Sequence, residues 1–250
     1  RKMPTWNYKG VELDLWHRDQ KINDRGFDVD LDLAHAALRA VNLEQIRLKE
    51  VTSEMTDGAV GSTTQRDVLL DHILLSHGFS LPDLKKDTVE RLIDDPDVPD
   101  GLKELLKIRL QASTSSTSKY KKILKMETEG RIRGGIQFCG AGRTGRAAGR
   151  GVQPQNFPRP DMKADAIEAG IESIKLDCAD LLYSNVRSLT SNAIRGCIIP
   201  PPGKKLVVSD LSNIEGRAVA YLAEETWKLK AFSDFDAGIG EDLYKVAYGK

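Results

Sequence analysis

The sequence predicts an α+β fold: a helical half reaching to about Gln111, then a mixed region with a small sheet. Three observations predict it. Apolar residues recur at helical spacing through most of the first 111 positions. Short β-branched or apolar runs stand at 132–138, at Cys197-Ile198-Ile199 and at 206–209, each the length of a strand. Between them, residues 139–160 are rich in Gly, Pro and Arg and follow neither period.

Taken in order, residues 10–24 read as a helix, with Val11, Leu15 and Ile22 at roughly helical spacing. Asp24-Arg25-Gly26-Phe27 reads as a turn, Gly26 supplying the permissive backbone. Asp30 is placed to cap a second helix, whose Leu31, Ala34, Leu38 and Val41 make one apolar face and whose pattern runs to about Met55. Gly58 and Gly61 break it. Residues 64–77 form another helix ended by Gly78, 87–94 a short one before a Pro-punctuated turn, and 101–111 a further one. The polar stretch 112–118 reads either as a flexible linker or as a hydroxyl-rich clamp for phosphate oxygens. The Lys-rich run 119–125 favours the clamp, and a helical course there stays open. Residues 132–138 read as a short strand, and 165–171, 176–182 and 186–195 as helices. After Cys197-Ile198-Ile199 and a Pro-Pro-Pro-Gly turn, a strand over 206–209 delivers Asp210 to its end. An amphipathic helix follows over 214–232, with Ile214, Ala218, Tyr221, Leu222, Leu229 and Phe232 on its apolar face, and a final helix starts near Glu241. There is no internal repeat.

The 250 residues allow one large domain or two smaller ones, and 40% hydrophobic content suffices for a substantial core. No run approaches the ~20 apolar residues of a membrane helix, and the N-terminus shows no charged-then-apolar signal pattern. Three widely spaced cysteines, Cys139, Cys178 and Cys197, suit buried free thiols in a reducing compartment, so a cytoplasmic location without a membrane partner is expected. The formal net charge is +0, but residues 119–159 carry ten Lys/Arg against two Asp/Glu, a local excess of +8. A basic stripe on a neutral chain is the electrostatic footprint of a polyanion site.

Some motifs carry little. Gly140-Ala-Gly-Arg-Thr-Gly145 matches a dinucleotide fingerprint, yet the Gly- and Pro-containing residues after it do not suit the required helix. His17-Arg18-Asp19 matches the start of a kinase catalytic loop, but Asp24 stands where that loop needs Asn, so the triplet reads as helix surface. His72 and His77 lack metal-pair spacing and read as helix-end histidines. The segment 143–159 is different. It sets guanidinium groups at Arg143, Arg146, Arg150 and Arg159 among the amides Gln153, Gln155 and Asn156, with glycines that let backbone approach a ligand closely. Arg forks match phosphate, and amides in a minor groove meet acceptors that every base pair presents. Asp210, at a strand end before a helix, is a candidate ligand for a hard cation such as Mg²⁺, but at least one more carboxylate is needed for a two-metal site.

These residues carry a family resemblance. Asp210-Leu-Ser-Asn-Ile-Glu-Gly-Arg217 resembles the first palm motif of family A DNA polymerases, the bacterial DNA polymerase I group, written D-Y-S-x-I-E-x-R. Thr144-Gly-Arg146 followed by Gln155-Asn-Phe-Pro158 is similar to that family's T-G-R…L-Q-N-I-P segment, and Ile194-Arg-Gly-Cys-Ile-Ile-Pro-Pro-Pro-Gly203 to its I-R-x-x-F-I-A-P-x-G stretch. Leu15 to Gly26 resembles the helix and turn that open the polymerase region. The wording of the Asp210 and Arg146 motifs resembles the bacteriophage branch, which would put the chain in the cytoplasm of a bacterial host.

The resemblance implies opening helices of the polymerase region over 1–60, a thumb-like helical region over 61–130, and a partial palm with a small antiparallel sheet over 131–250. It implies that Asp210 is catalytic and ligates Mg²⁺ with the Leu211 carbonyl nearby, and that Glu215 crowds the sugar 2′ position and selects deoxynucleotides. Arg146, Gln155 and Asn156 would hold primer–template DNA near the primer end, with Arg143, Arg150 and Arg159 beside them. Ser116, Thr117, Lys119, Lys121 and Lys122 would grip duplex phosphates at the thumb. The implied chemistry is in-line attack of a primer 3′-hydroxyl on the α-phosphate of a dNTP, releasing pyrophosphate.

Leu211 departs from the family's tyrosine, and the stretch from Pro158 to Asp210 is longer than in the bacterial enzymes. The fingers helix and the second carboxylate motif have no counterpart, and position 1 is not Met. The chain is therefore expected to be a thumb and half a palm, inactive alone: a piece of a DNA polymerase, or half of a split one whose second chain supplies fingers and the remaining palm. The alternatives are a non-catalytic module that binds duplex nucleic acid and, less in keeping with the motifs, an unrelated phosphate-binding enzyme.

Overall fold

The computed structural model describes residues 8–113, 117–243 and 245. The chain forms two compact units, one reaching to Lys204 and one beginning at Lys205. As the helical spacing and the strand-length runs predict, the fold is α+β and mostly helical, and its small sheet is antiparallel as the resemblance implies.

In the first unit α1 (Val11–Arg25) leads through β1 (Phe27–Val29) into the long α2 (Leu31–Met55), followed by α3 (Arg66–His77), α4 (Lys86–Asp94), α5 (Asp100–Ala112) and α6 (Thr117–Met126). Asp30 caps α2 as expected, its carboxylate accepting the Leu33 amide at 2.9 Å. Gly78 ends α3 in the left-handed conformation, φ 75°. Two cores form. One gathers Leu69, Ile73, Val89, Leu102, Leu105 and Leu106 from α3–α5. The other surrounds α2, whose Leu33, Ala34, Ala37 and Val41 are fully buried. It recruits Tyr120 and Ile123 of α6 together with residues from α7 (Ala164–Lys175) and α9 (Val186–Ala193), while the short α8 (Ala179–Leu182) links those two helices. Each buried Leu or Val contributes about 1.5–3 kcal/mol. The Arg39–Asp177 pair tying α2 to the end of α7 is half-exposed at both partners, 53% each, and an exposed pair contributes only about 0–1 kcal/mol. Apolar burial, rather than that exposed pair, therefore carries most of the hold on α2.

The sheet differs from the one expected. Its order is β2 (Glu127–Thr128), β3 (Arg131–Ile132), β1, β6 (Ile198–Ile199), all antiparallel, with Phe27 opposite Ile132 and Val29 opposite Ile198. Of its two inner strands, β1 has no counterpart in the sequence reading, which ends a turn at Phe27, because three residues show no measurable period. The single strand expected over 132–138 is two: β3, and β4 (Ile136–Gln137), which pairs with β5 (Ala148–Gly149) in a separate hairpin. Gly134, φ 64°, breaks the run between them. Gly26 is where the sheet admits no side chain: φ is 60°, and a Cβ would lie 2.0 Å from the Ile132 carbonyl oxygen.

Other expectations need correcting. Val11, Leu15 and Ile22 of α1 are exposed, at 75%, 47% and 54%. That helix is held by polar groups instead, and Asp19, read as helix surface, is buried against Asn23. The helix expected over 214–232 is broken into α10 (Ile214–Leu222) and α11 (Thr226–Asp236), with Glu224 at φ 54° between them. The final helix expected near Glu241 lies largely outside the described residues. Cys139 is exposed, Cys178 half-buried and only Cys197 buried. No helix of the described residues is long and apolar enough to cross a membrane.

Two outcomes follow from this packing. Gly26→Ala should lower unfolding free energy by about 3 kcal/mol or more. Gly78→Ala should lower it by only about 1 kcal/mol, because nothing lies within 4 Å of that Cβ position. Equal denaturant midpoints for the two would refute the close approach. Burial pushes the Cys197 thiol up to about 12, so a thiol reagent at neutral pH should label Cys139 promptly and Cys197 only after unfolding.

Candidate nucleic-acid interface and carboxylate loop

The Gly/Arg segment folds as a hairpin and an anchored loop. Residues 138–147 close the β4–β5 hairpin through short local bonds: the Ala141 amide to the Arg146 carbonyl (3.0 Å) and the Thr144 and Gly145 amides to the Ala141 carbonyl (3.1 and 2.8 Å). No helix starts there, so the dinucleotide fingerprint has no phosphate-binding helix N-terminus behind it. Arg143 and Arg146 are exposed on the hairpin loop. Arg150 leaves the hairpin with its Nε donating to Gln137 Oε1 at 3.1 Å, so this guanidinium also braces the hairpin.

The following turn is pinned by two apolar residues, Val152 and Phe157, 1% and 3% exposed, which reach into the α2 core. Between these anchors the polar residues stay outside. Gln153 takes a left-handed φ of 52°, donates from its amide to the Gly149 carbonyl (3.0 Å), and accepts from Asn156 Nδ2 (2.8 Å). Gln155 lies across Gly149, where a Cβ would fall 1.9 Å from its Nε2, and Met126 lies across Gly151 in the same way. Thus Gln155 and Asn156 are exposed yet oriented, and Arg159 is exposed just beyond them.

Residues that sequence reasoning missed hold this loop. Asn23 of α1 acts as a strand partner for Ile136: its Oδ1 accepts the Ile136 amide and its Nδ2 donates to the Ile136 carbonyl, both at 2.9 Å. Arg195 donates to the carbonyls of Phe157 (2.9 Å) and Pro158 (3.0 Å). Asn192 Oδ1 accepts the amides of Asp161 and Met162. No local pattern could have found them, since each partner lies 30 or more positions away. Ile22, Phe27, Ile132, Ile136, Gly149 and Gln155 line a cleft of about 580 Å³ beside the hairpin.

On α6, Tyr120 and Ile123 point into the core while Lys121 and Lys122 are exposed and Lys119 half-buried. The Tyr120 hydroxyl donates to the Thr190 carbonyl at 2.7 Å, and burial holds its pKa well above the usual range, so it stays a donor. Thr117 begins α6; Ser116 lies outside the described residues.

In the second unit the strand expected over 206–209 is absent. Residues 204–211 run as irregular backbone, with Val207 81% and Val208 91% exposed, because none of β1–β6 pairs with them. Asp210 and Leu211 are exposed on this segment, and Glu215 stands exposed in the first turn of α10. What orders the loop is Arg217. Its Nε donates to the Ser212 carbonyl (2.8 Å), its two Nη groups grip the Asp236 carboxylate (2.7 Å each), and its guanidinium stacks on Phe232 at 4.7 Å from the ring centroid. The hydrogen bond between them raises the Arg217 pKa and lowers that of Asp236. Among the described residues no three His, Cys, Asp or Glu side chains are grouped to hold a metal ion, so Asp210 with the Leu211 carbonyl does not by itself fit a Mg²⁺ site.

The candidate residues thus divide between the units: Arg143, Arg146, Arg150, Gln155, Asn156, Arg159 and the α6 lysines in the first, Asp210, Leu211 and Glu215 in the second. The chain is similar to a DNA polymerase of Bacillus phage SP02, 34% identical over 227 residues, which cover 89% of this chain and 34% of that protein. The chain therefore spans about a third of the length of the relative it matches. No protein-family model matches it, and no solved structure does.

Because Asp236 is a depressed carboxylate, its grip on Arg217 is complete above the ordinary carboxylate range and is lost only as pH falls below it. At neutral pH, Arg217→Ala and Asp236→Ala should each speed proteolytic cutting within residues 205–213, with cutting elsewhere unchanged. Unaltered cutting in that segment would show that Arg217 does not order it.

Proposed function

We propose that the chain is the part of a family A-type DNA polymerase that grips primer–template duplex and carries the first catalytic carboxylate. The observation that carries this reading is one continuous surface segment: the β4–β5 hairpin loop exposes Arg143 and Arg146, and the following loop, anchored by Val152 and Phe157, holds Gln155 and Asn156 oriented toward solvent. Such a surface neutralises phosphates through Arg and meets acceptors common to all base pairs through amides, which is what holding duplex of any sequence requires. The named activity of the phage SP02 relative supports it. In this reading residues 1–60 open the polymerase region, 61–130 form the thumb and 131–250 part of the palm, with Thr117, Lys119, Lys121 and Lys122 along duplex phosphates.

Asp210 with the Leu211 carbonyl would contribute to Mg²⁺ binding only together with nucleotide phosphates and carboxylates from elsewhere in the polymerase, on this polypeptide or on a second chain. A Mg²⁺ so held supplies positive charge to the transferring phosphate. Glu215, five residues beyond Asp210 on α10, would sit against the sugar of a bound dNTP and exclude a 2′-hydroxyl. A second reading, a duplex-binding module without catalysis, is favoured by the single carboxylate at this loop. Primer extension separates the two.

Binding of a labelled primer–template duplex, followed by anisotropy across salt concentrations, should weaken steeply with salt. Arg143→Ala and Arg146→Ala should each reduce the log–log slope by about 0.9. Asp210→Ala should leave duplex affinity unchanged and abolish Mg²⁺-dependent primer extension in the complemented enzyme. A flat salt response would overturn the proposal.

A further inference from the structure

We propose that the outer face of α7 and α8, with the adjoining strip of α2, docks a basic amphipathic helix of a separate partner protein. The surface lies within the first unit, away from the Gly/Arg loop in sequence, and the proposal does not depend on the duplex-binding reading.

Its apolar part is built from exposed leucines. Leu176, just past the end of α7, is 73% exposed, and Leu181 and Leu182 of α8 are 81% and 68% exposed. Asp177, Ala179 and Asp180, which lie between them in the chain, border a small hollow together with Leu43 of α2. Leu43 and Ile46, three apart on one face of α2, are exposed as well. Single exposed leucines are ordinary. Large aliphatic side chains gathered around one hollow are not, because a contiguous apolar patch of roughly a few hundred Å² marks an interaction surface.

The charge beside that patch selects what covers it. Gly170, Ser173 and Ile174 bury the inner face of α7. Asp165, Glu168 and Glu172 therefore stand exposed on the outer face, and Leu176 continues their row one turn further. These three carboxylates make no ion pair among the described residues. The nearby cations are already engaged: Lys175 by Asp30, Arg39 by Asp177 and Arg47 by Glu44. Residues 161–182 carry six Asp/Glu against two Lys, a local excess of −4. Glu168 and Glu172, four apart on a helix, repel each other, a cost that a cationic partner removes. The same carboxylates repel nucleic acid and an anionic membrane.

A partner must set cations along one stretch and large apolar side chains next to it. A helix does both, since residues three and four apart share a face. The row from Asp165 to Leu176 runs about 16 Å at 1.5 Å per residue, the length of a three-turn helix.

The test titrates the full chain with a labelled synthetic helix of roughly 18 residues, long enough to stay helical, carrying Leu on one face and Lys on the other. Its counterpart carries Glu in place of Lys. Only the Leu–Lys helix should bind, and more weakly as salt rises. Leu181→Ser combined with Leu182→Ser should weaken it about tenfold, with the unfolding midpoint and duplex affinity unchanged. Glu168→Lys combined with Glu172→Lys should weaken it about tenfold and bring on binding of the Leu–Glu helix, a reversal that misfolding does not produce. Equal binding of the two helices, or unaltered affinity for the Leu–Lys helix in both variants, overturns the docking surface. Concentration-dependent self-association of the unaltered chain that Leu181→Ser with Leu182→Ser abolishes overturns the assignment to a separate partner and gives the face to a second copy.

Discussion

Burial of the α2 face is the constraint on which the first unit depends. Leu33, Ala34, Ala37 and Val41 are inaccessible to solvent, and the alanines let neighbouring helices approach closely. Around that face stand α6, α7 and α9, which are far apart in sequence. The start of the helix is tied as well: Asp30 caps it, its other carboxylate oxygen meets Lys175 at 2.6 Å, and its amide donates to the Cys197 carbonyl at 2.9 Å. One residue thus links the start of α2, α7 and the end of the sheet.

The basic loop shows how a polar, glycine-rich segment is given a defined shape. Backbone entropy opposes order in such a sequence. Here Val152 and Phe157 fasten it at two points, and side chains from remote elements fill the remaining hydrogen bonds: Asn23 at β4, Arg195 at Phe157 and Pro158, Asn192 at Asp161. The guanidinium and amide groups left outside therefore need less ordering when a ligand arrives. Segregating a local +8 on a chain of zero net charge leaves an attractive surface for a polyanion without a general excess of charge.

The second unit is built on a different principle. Among its described residues Ala220 and Phe232 are the buried apolar ones, while Val207, Val208, Tyr221 and Leu222 are exposed. With so little apolar burial, the loop bearing Asp210 depends on Arg217, which reaches a backbone carbonyl, a carboxylate and an aromatic face at once. The position of Arg217 in the D-x-S-x-I-E-x-R pattern thereby acquires a physical role: it spans the turn from the motif's third residue to the next helix.

Much was legible locally. Helix periods, the Asp30 cap, the Gly78 stop and the turn at Gly26 depend on contacts within about four residues, and the sequence by itself determined them, together with the α+β class and the charge stripe. Residue chemistry, which is local, also nominates Arg143, Arg146, Gln155 and Asn156 as candidates, and the structure leaves all four exposed. Strand pairing was not legible. β1 is three residues long and exists because Ile132 and Ile198 lie beside it, whereas 206–209 has better β-forming residues and no strand partner among the described residues. The burial of Asp19, the exposure of Val11 and Leu15, and the clamps by Asn23, Arg195 and Asn192 were likewise decided only by tertiary structure. A hydrogen bond or buried face belongs to two segments at once, and one segment read alone holds half of it.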